Sequence, residues 1–272
     1  MTHLSKTNSQ QHIIKSLSVQ ISLIGHSFLV KDVSLNTVLF SHTATFSNAT
    51  SPDEALIALT TTIAKFPELQ GSFDSVTVVH QNDLITVVPQ ALFDENEAAN
   101  YLKFNTKILP TDFIAFDVIT NQEIVVVYVP YININNYIFD TYGSFKYYHS
   151  STIAIEDSIK SSSFKKETTV FIDVAKDIFF CTVIFKGKLQ LHNVYSYKTS
   201  EDFIYYILFC FEQLQLDPNE TPIVLSGAIS KEVDLFTILF KYIRHITFAE
   251  LSMLNTISNK AYTYYLLSKA TK

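Results

Sequence analysis

The same run of segments occurs twice in this chain, about 150 positions apart, and that repetition constrains the fold more than any other feature. From Leu17 the pattern reads as three strands separated by turns (LSVQISLIG, SFLVKD, NTVLFSHTATF), a helix opening at Ser51-Pro52-Asp53-Glu54, and a further strand, SVTVVH. From Thr169 it reads TVFIDVA, DIFFCTVIF, a turn at Lys186-Gly187-Lys188, LQLHNVYSY, a helix opening at Thr199-Ser200-Glu201-Asp202, and TPIVLSG. Similarity of whole units at a fixed offset marks an internal duplication. Each unit is βββαβ, so the expected class is α/β with two lobes of one design.

The helix openings are the sharpest local signals. Ser51 at the N-cap, Pro52 in the first helical position and Glu54 in the third make a capping box. Ala55, Leu59, Ile63 and Phe66 then follow at helical spacing, which buries one stripe. In the second unit Phe203, Ile204, Ile207, Leu208, Phe211 and Leu214 form a broader face, as expected of a helix covered on more than one side.

A segment without a counterpart, about residues 83–146, separates the units and reads as an inserted αββα subdomain of the first lobe. Asp94 caps a short helix, two alternating strands (DFIAFDVIT and EIVVVYVP) pair through Asn121-Gln122, and a helix from Ile132 to Tyr142 stops at Gly143. The first lobe is placed at 17–160 and the second at 167–272. Residues 161–166, inside the small and charged stretch IKSSSFKK, are the expected hinge. Residues 1–16 read as a disordered tail. A helix near Ser230, a short strand around Ile246 and a last helix at about residues 257–268 close the chain.

Composition removes several function classes. With 47% apolar and 14% aromatic residues among 272, the chain has ample material for a core. Its net charge is −6 and its cationic residues are scattered, without the basic stripe that phosphate neutralisation needs, so no nucleic-acid partner is expected. The densest apolar run, residues 203–211, is too short to cross a membrane, which takes about 20 apolar residues. The start is polar and lacks the apolar stretch of a secretory signal. Cys181 and Cys210 lie in apolar runs and read as buried free thiols. A cytoplasmic protein is the expectation.

The chemistry-bearing residues are few. Asp173 ends a predicted strand and reads either as a residue facing a metal-bound water or phosphate, or as the cap of the next turn; Lys176 and Asp177 after it read either as contacts to phosphate and base or, more commonly for such residues, as a solvated turn. The eight histidines show no pair at i, i+4 metal spacing. Ser226-Gly227 is not set in G-x-S-x-G, so a nucleophile elbow is not indicated. Tyr205 and Tyr206, in an aromatic group with Tyr195, Tyr197, Phe203 and Phe209, fall beside the main helical stripe and are candidates for partner contact, although core packing is the commoner use of such rings.

With these residues in view, TVFIDVAKDIFFCTVIFKGKLQLHNVYSY resembles the second phosphate hairpin of the actin-like ATPase superfamily (actin, sugar kinases, Hsp70; ribonuclease H-like lobes), and TPIVLSGAIS resembles its adenosine motif. The inserted segment, with Pro110 and the strand DFIAFDV, is most similar to the actin-like assembly protein of type IV pilus and type II secretion systems. The likeness covers roughly residues 17–270, and the whole is similar to an uncharacterised Bacteroidetes family of unknown function. The resemblance implies a nucleotide cleft between the lobes bordered by Asp173, Lys176, Ser226 and Gly227.

The departures are chemical. The turn of the first hairpin reads Ser22-Leu23-Ile24-Gly25-His26, and no Asp or Glu precedes Asp32, so the hard anionic oxygen that would hold a magnesium water there is missing. Ala175 stands where the superfamily has a glycine two residues after the acid, and Ala228 replaces the second glycine of the adenosine motif. With only five glycines where roughly 19 are usual for this length, few places exist for a main chain to cradle phosphates.

The sequence therefore implies a non-catalytic scaffold, a pseudo-ATPase without cofactor, that binds a protein or short peptide partner. By the resemblance, a groove in the first lobe near the insertion would receive it. The edge of the hairpin at residues 113–130, with Val125 and Val127, is the candidate docking strand. The competing expectation is an ATPase or small-molecule kinase holding ATP and magnesium, with Asp173 surviving and Asp117 or Glu156 replacing the lost carboxylate.

Overall fold

The structure, a computed structural model, describes residues 13–46, 50–249 and 264–270. Two five-stranded sheets of identical layout form its frame. In the first lobe β1 (Lys15–Ser22), β2 (Gly25–Asp32), β3 (Thr37–Thr45), β4 (Ser75–His80) and a later strand, Lys146–His149, assemble in the order β3-β2-β1-β4 and then that last strand. The first three are antiparallel, and the remaining pairings are parallel. Helix α1 (Pro52–Lys65) covers one face, and its capping box is complete: the Ser51 hydroxyl accepts from the Glu54 amide at 3.2 Å, and the Glu54 carboxylate accepts from the Ser51 amide at 2.8 Å. Such a cap is worth about 1 kcal/mol.

The insertion follows β4. Strand β5 (Ile85–Pro89) leads to α2 (Ala98–Lys103), then β6 (Ala115–Ile119) and β7 (Ile124–Tyr128), which form an antiparallel sheet in the order β5-β7-β6. Asp94 caps the helical turn before α2 by accepting from the Asn96 amide. Glu123, with φ 55°, makes the left-handed step into β7. The insertion thus has a strand more than the αββα reading. Its last helix, α3 (Ile132–Tyr142), ends at Gly143 with φ 78°, but it belongs to the lobe: Ile134 and Ile138 join Leu59 and Ile63 of α1 in the core over β1 and β4.

Strand β8 (Lys146–His149) completes the first sheet, and α4 (Ser150–Ser162) crosses to the second. Helix α4 corrects the hinge reading, because residues 159–162 are its last turn rather than linker; the short connection after it leads into β9 (Thr169–Val174). The helix escapes a hydrophobic-period reading because it is covered on nearly all sides, with Ser151, Thr152, Ala154 and Ser158 buried alongside Ile153 and Ile155. Small residues let sheets approach it from both lobes.

The second lobe repeats the first. Strands β9, β10 (Ile178–Phe185), β11 (Lys188–Ser196), β12 (Ile223–Gly227) and β13 (Ile246–Phe248) lie in the order β11-β10-β9-β12-β13. Even the bulge recurs: register shifts between Val30 and Lys31 in one hairpin and between Val183 and Ile184 in the other. Helix α5 (Ser200–Gln213) has its own capping box, Thr199 with Asp202, and packs Phe203, Ile207 and Phe211 onto the sheet beside Leu239 of α6 (Asp234–Tyr242). Each such fully buried side chain contributes roughly 1.5–3 kcal/mol. Cys181 and Cys210 are buried free thiols in this core.

Helix α7 (Tyr265–Lys269) lies beside α4 in the seam, where Leu266 and Leu267 meet Leu29 and Val79 of the first lobe and Val224 of the second. Of the last helix expected at about residues 257–268, the part before Tyr264 lies outside the described residues, as do residues 1–12 of the expected tail; residues 15 and 16 of that tail are the start of β1. Among the described residues no helix is long and apolar enough to cross a membrane.

Candidate functional site

The turns of the two first hairpins, residues 23–24 and 175–177, meet at a cleft between the lobes, which also receives the end of β12 and Leu266 of α7. Duplicated topology places them there, since each turn sits at the end of its lobe's central β1-type strand. Asp173, Lys176 and Gly227 border this cleft, with Ser226 just beneath its floor.

Each of these residues is occupied with the protein itself. The Ser226 hydroxyl donates to Asp173 Oδ2 at 2.6 Å, tying β12 to β9. Burial pushes the Asp173 carboxyl up to about 7; the Ser226 bond opposes that shift and the nearby Asp157 adds to it. The Lys176 ammonium donates to the Phe46 carbonyl at the end of β3, so it spans the cleft mouth from one lobe to the other. Gly227 has φ 86°, and a Cβ there would stand 2.1 Å from the Val174 carbonyl oxygen. Its hydrogen is required by the strand beside it, which accounts for the glycine without a ligand. Gly25 is similar, since a Cβ would lie 2.4 Å from the Ala44 oxygen.

The space left is about 100 Å³. Sites for drug-sized ligands run to roughly 300–1,000 Å³. Leu266 accounts for part of the filling, and sequence reasoning missed it because a side chain far along the chain enters the site only through the tertiary fold. Around the first turn the polar groups include Ser22, whose hydroxyl donates to the Gly25 carbonyl at 3.1 Å, Gln20, whose amide donates to the Gln81 side chain at 3.0 Å, and His26, whose Nε2 is 2.9 Å from the Thr62 hydroxyl. Burial first, and His42 second, hold the His26 imidazole down to about 4, so it is neutral there. Among the described residues no group of three or more His, Cys, Asp or Glu is placed to hold a metal ion. At about 100 Å³ the cleft is smaller than sites that hold such ligands, and its lining carboxylate, Asp173, is already bonded to Ser226.

Below the floor, Asp173 and Asp157 of α4 face a cavity of about 20 Å³, room for one water. Asp157 also accepts from the Tyr265 hydroxyl at 2.5 Å and pairs with Lys269 at 3.1 Å, which fastens α7 to α4. On the first-lobe side the buried Lys31 ammonium donates to the Ser268 carbonyl at 3.1 Å.

The proposed substitute acid Asp117 is elsewhere. It accepts from the Thr152 hydroxyl at 2.6 Å, the His149 amide at 3.0 Å and the Tyr128 hydroxyl at 3.1 Å, so it latches the insertion to the start of α4. Burial raises its carboxyl to about 6. Glu156 does not line the cleft either.

The partner-contact candidates divide. Val125 and Val127 are fully buried in β7, the central strand of the insertion sheet, where they pack against Leu102 of α2. The expectation that they meet a partner is therefore corrected: a strand paired on both sides has no free edge. Tyr205 is 61% exposed, whereas Tyr206 stacks on Tyr195 with centroids 4.8 Å apart. A far larger concavity, about 1250 Å³, opens between β5 and β11, outside the cleft. The sequence reading placed a groove near the insertion but within the first lobe; this one has one wall in each lobe.

A family model described as "Protein of unknown function (DUF3822)" matches residues 4–246. The chain belongs to the DUF3822 family. No curated protein matches it in sequence. Among solved structures, a Bacteroides thetaiotaomicron protein with actin-like ATPase fold and unknown function is similar with a TM-score of 0.78 at 21% identity, covering 93% of this chain and 95% of that one. A PilM-PilN type IV pilus biogenesis complex gives 0.58 at 10% identity over 94% and 97%. The ethanolamine utilization protein EutJ from Carboxydothermus hydrogenoformans gives 0.50 at 8% over 94% and 88%. This DUF3822 chain therefore has the actin-like ATPase fold. At these identities the likeness speaks to fold alone.

Proposed function

We propose that this protein is a non-catalytic member of the actin-like fold, a pseudo-ATPase scaffold that binds a segment of a partner protein. The observation that carries the reading is the state of the interlobe cleft. Lys176 straps it, Leu266 lines it and narrows it, and among the described residues no carboxylate stands at the first turn. The PilM-PilN relative is itself a complex, which supports partner binding as a use of this scaffold. Buried free thiols suit a cytoplasmic setting.

The test is a thermal-shift titration with ATP and magnesium. A ligand at 100 times its Kd would stabilise the fold by about 2.7 kcal/mol. No shift and no phosphate release are expected; a saturating, magnesium-dependent shift overturns the reading. One observation favours the alternative, a nucleotide-binding enzyme that works in an opened form: Asp173 keeps a raised carboxyl beside Asp157. Groups tuned to titrate near neutrality are the usual equipment of an acid–base site. The same titration, with phosphate release followed across pH, separates the two.

A further inference from the structure

We infer that the groove between β5 and β11 receives an extended partner segment as an added β-strand, with alternating apolar side chains and basic flanks; the inference rests on the scaffold reading above and specifies its binding site. Two sheets end at this groove in strands with one neighbour only. Among the described residues the backbone of β5 pairs with β7 alone, and that of β11 with β10 alone. Both free edges line the same space of about 1250 Å³.

The edges run in opposite directions and are tied at their ends. Just before β5, the Asp83 carboxylate accepts from the Ser196 hydroxyl at the end of β11, at 3.4 Å. At the other end, Gln122 precedes Ile124, the partner of Pro89 at the end of β5, and its side-chain amide donates to the Gly187 carbonyl just before β11, at 3.2 Å. Between these ties, an unpaired edge presents a row of N–H and C=O groups that water or another strand must satisfy. Two facing edges of opposite sense can satisfy both sides of one inserted chain, and this is the hydrogen-bonding pattern that peptide recognition by strand addition uses.

Length and chemistry define the occupant further. The five residues of β5 set a paired stretch of about 17 Å. Beyond the bulge at Gln190, β11 stays in regular register with β10 from Leu191 to Ser196, long enough to match it. Val87, Leu191 and Val194 offer apolar contact along the walls, and Phe104 stands 88% exposed at the rim. Asp83 marks one mouth with Asp177 near it, and Glu123 marks the other beside Lys188, the one lysine or arginine among the described residues lining the groove; His192 lines it too, held neutral by burial. That balance favours basic residues flanking an apolar, alternating centre.

The experiment selects binders from a phage-displayed library of random peptides. The winning peptides are then measured against the wild-type protein and a double variant, Asp83→Lys with Glu123→Lys, and amide exchange is read on the wild type with peptide bound. Expected are peptides of alternating apolar pattern with basic flanks, bound about tenfold more weakly by the variant. Exchange at 85–89 and 191–196 should slow, and backbone N-methylation of the peptide should abolish binding. Peptides whose footprint falls elsewhere, such as on the face of Tyr205, would overturn the groove while leaving the scaffold reading in place. Failure to enrich any peptide, or full retention of affinity after N-methylation, would also overturn it. The ATP titration reads the scaffold itself independently.

Discussion

Gly227 lies against Val174 so closely that the position admits a hydrogen and nothing larger: a Cβ would fall 2.1 Å from the Val174 carbonyl oxygen and 2.6 Å from its amide nitrogen. The contact belongs to the parallel pairing of β12 with β9, where Gly227 stands opposite Val174. Gly187→Ala offers a control, since φ is 72° there but a methyl would enter open space. Gly187→Ala should cost about 1–2 kcal/mol from the backbone conformation alone. Gly227→Ala should cost more, about 3 kcal/mol or above, as steric displacement of β9 adds to the same conformational term. Urea unfolding of the two variants checks the ordering, and equal costs would contradict it.

The carboxyl of Asp173 binds a proton more tightly in the folded protein, up to about 7, than in the unfolded chain, near 4. Between those values the native state holds more protons, so its stability falls as pH rises from about 4 to about 7 and is level above. Asp173→Asn keeps an oxygen acceptor for Ser226 and removes the titration. Relative to this variant, the wild-type protein should lose up to a few kcal/mol across that window. Chemical denaturation of both proteins at pH 4.5, 6 and 8, read as a difference, gives the answer; parallel curves would show Asp173 to be ionised throughout.

Fastening of α7 depends on Asp157. Asp157→Ala removes the acceptor of the buried Tyr265 hydroxyl and the partner of Lys269. Most of the cost, about 1–3 kcal/mol, should come from the lost bond to the buried hydroxyl, which keeps Ser161 beside it, because the ion pair is partly exposed and contributes little. Amide exchange at 265–269 should accelerate selectively, while exchange in β10 stays slow. Uniform acceleration would place Asp157 in the global core instead.

Adjacent tyrosines on α5 should behave oppositely. Tyr205→Ala, at an exposed ring, should leave stability within about 0.5 kcal/mol. Tyr206→Ala removes a ring stacked on Tyr195 and packed against the second-lobe core, and should cost about 1–3 kcal/mol. Guanidinium unfolding midpoints decide it, and a costly Tyr205 would point to an interface formed by the protein in solution.

Much of the architecture was legible because local rules and the fold agree. Ser51 with Glu54, Thr199 with Asp202, and Gly143 after α3 mark helix ends through bonds within a few residues, and the βββαβ repeat follows from spacing. Helix α4 was hidden by its surroundings: a helix packed between two sheets has no polar face to set a period, and its last turn, with buried Ser162, read as linker. Val125 and Val127 show the converse. The run IVVVY is continuously apolar, which is the pattern of a central strand covered on both faces, and it argued against an edge. Leu266 and the groove were beyond reach, since both arise where residues some 70 to 240 positions apart are brought together.

The ties of Asp83 to Ser196 and of Gln122 to Gly187 fasten the insertion to the lobe it does not belong to in sequence. Any rotation of one half of the molecule against the other must therefore shear these two rungs and change the gap they bracket. A guest wedged there would act on the two lobes as a chock acts on a door, and the interlobe angle and occupancy of that slot would become a single mechanical variable.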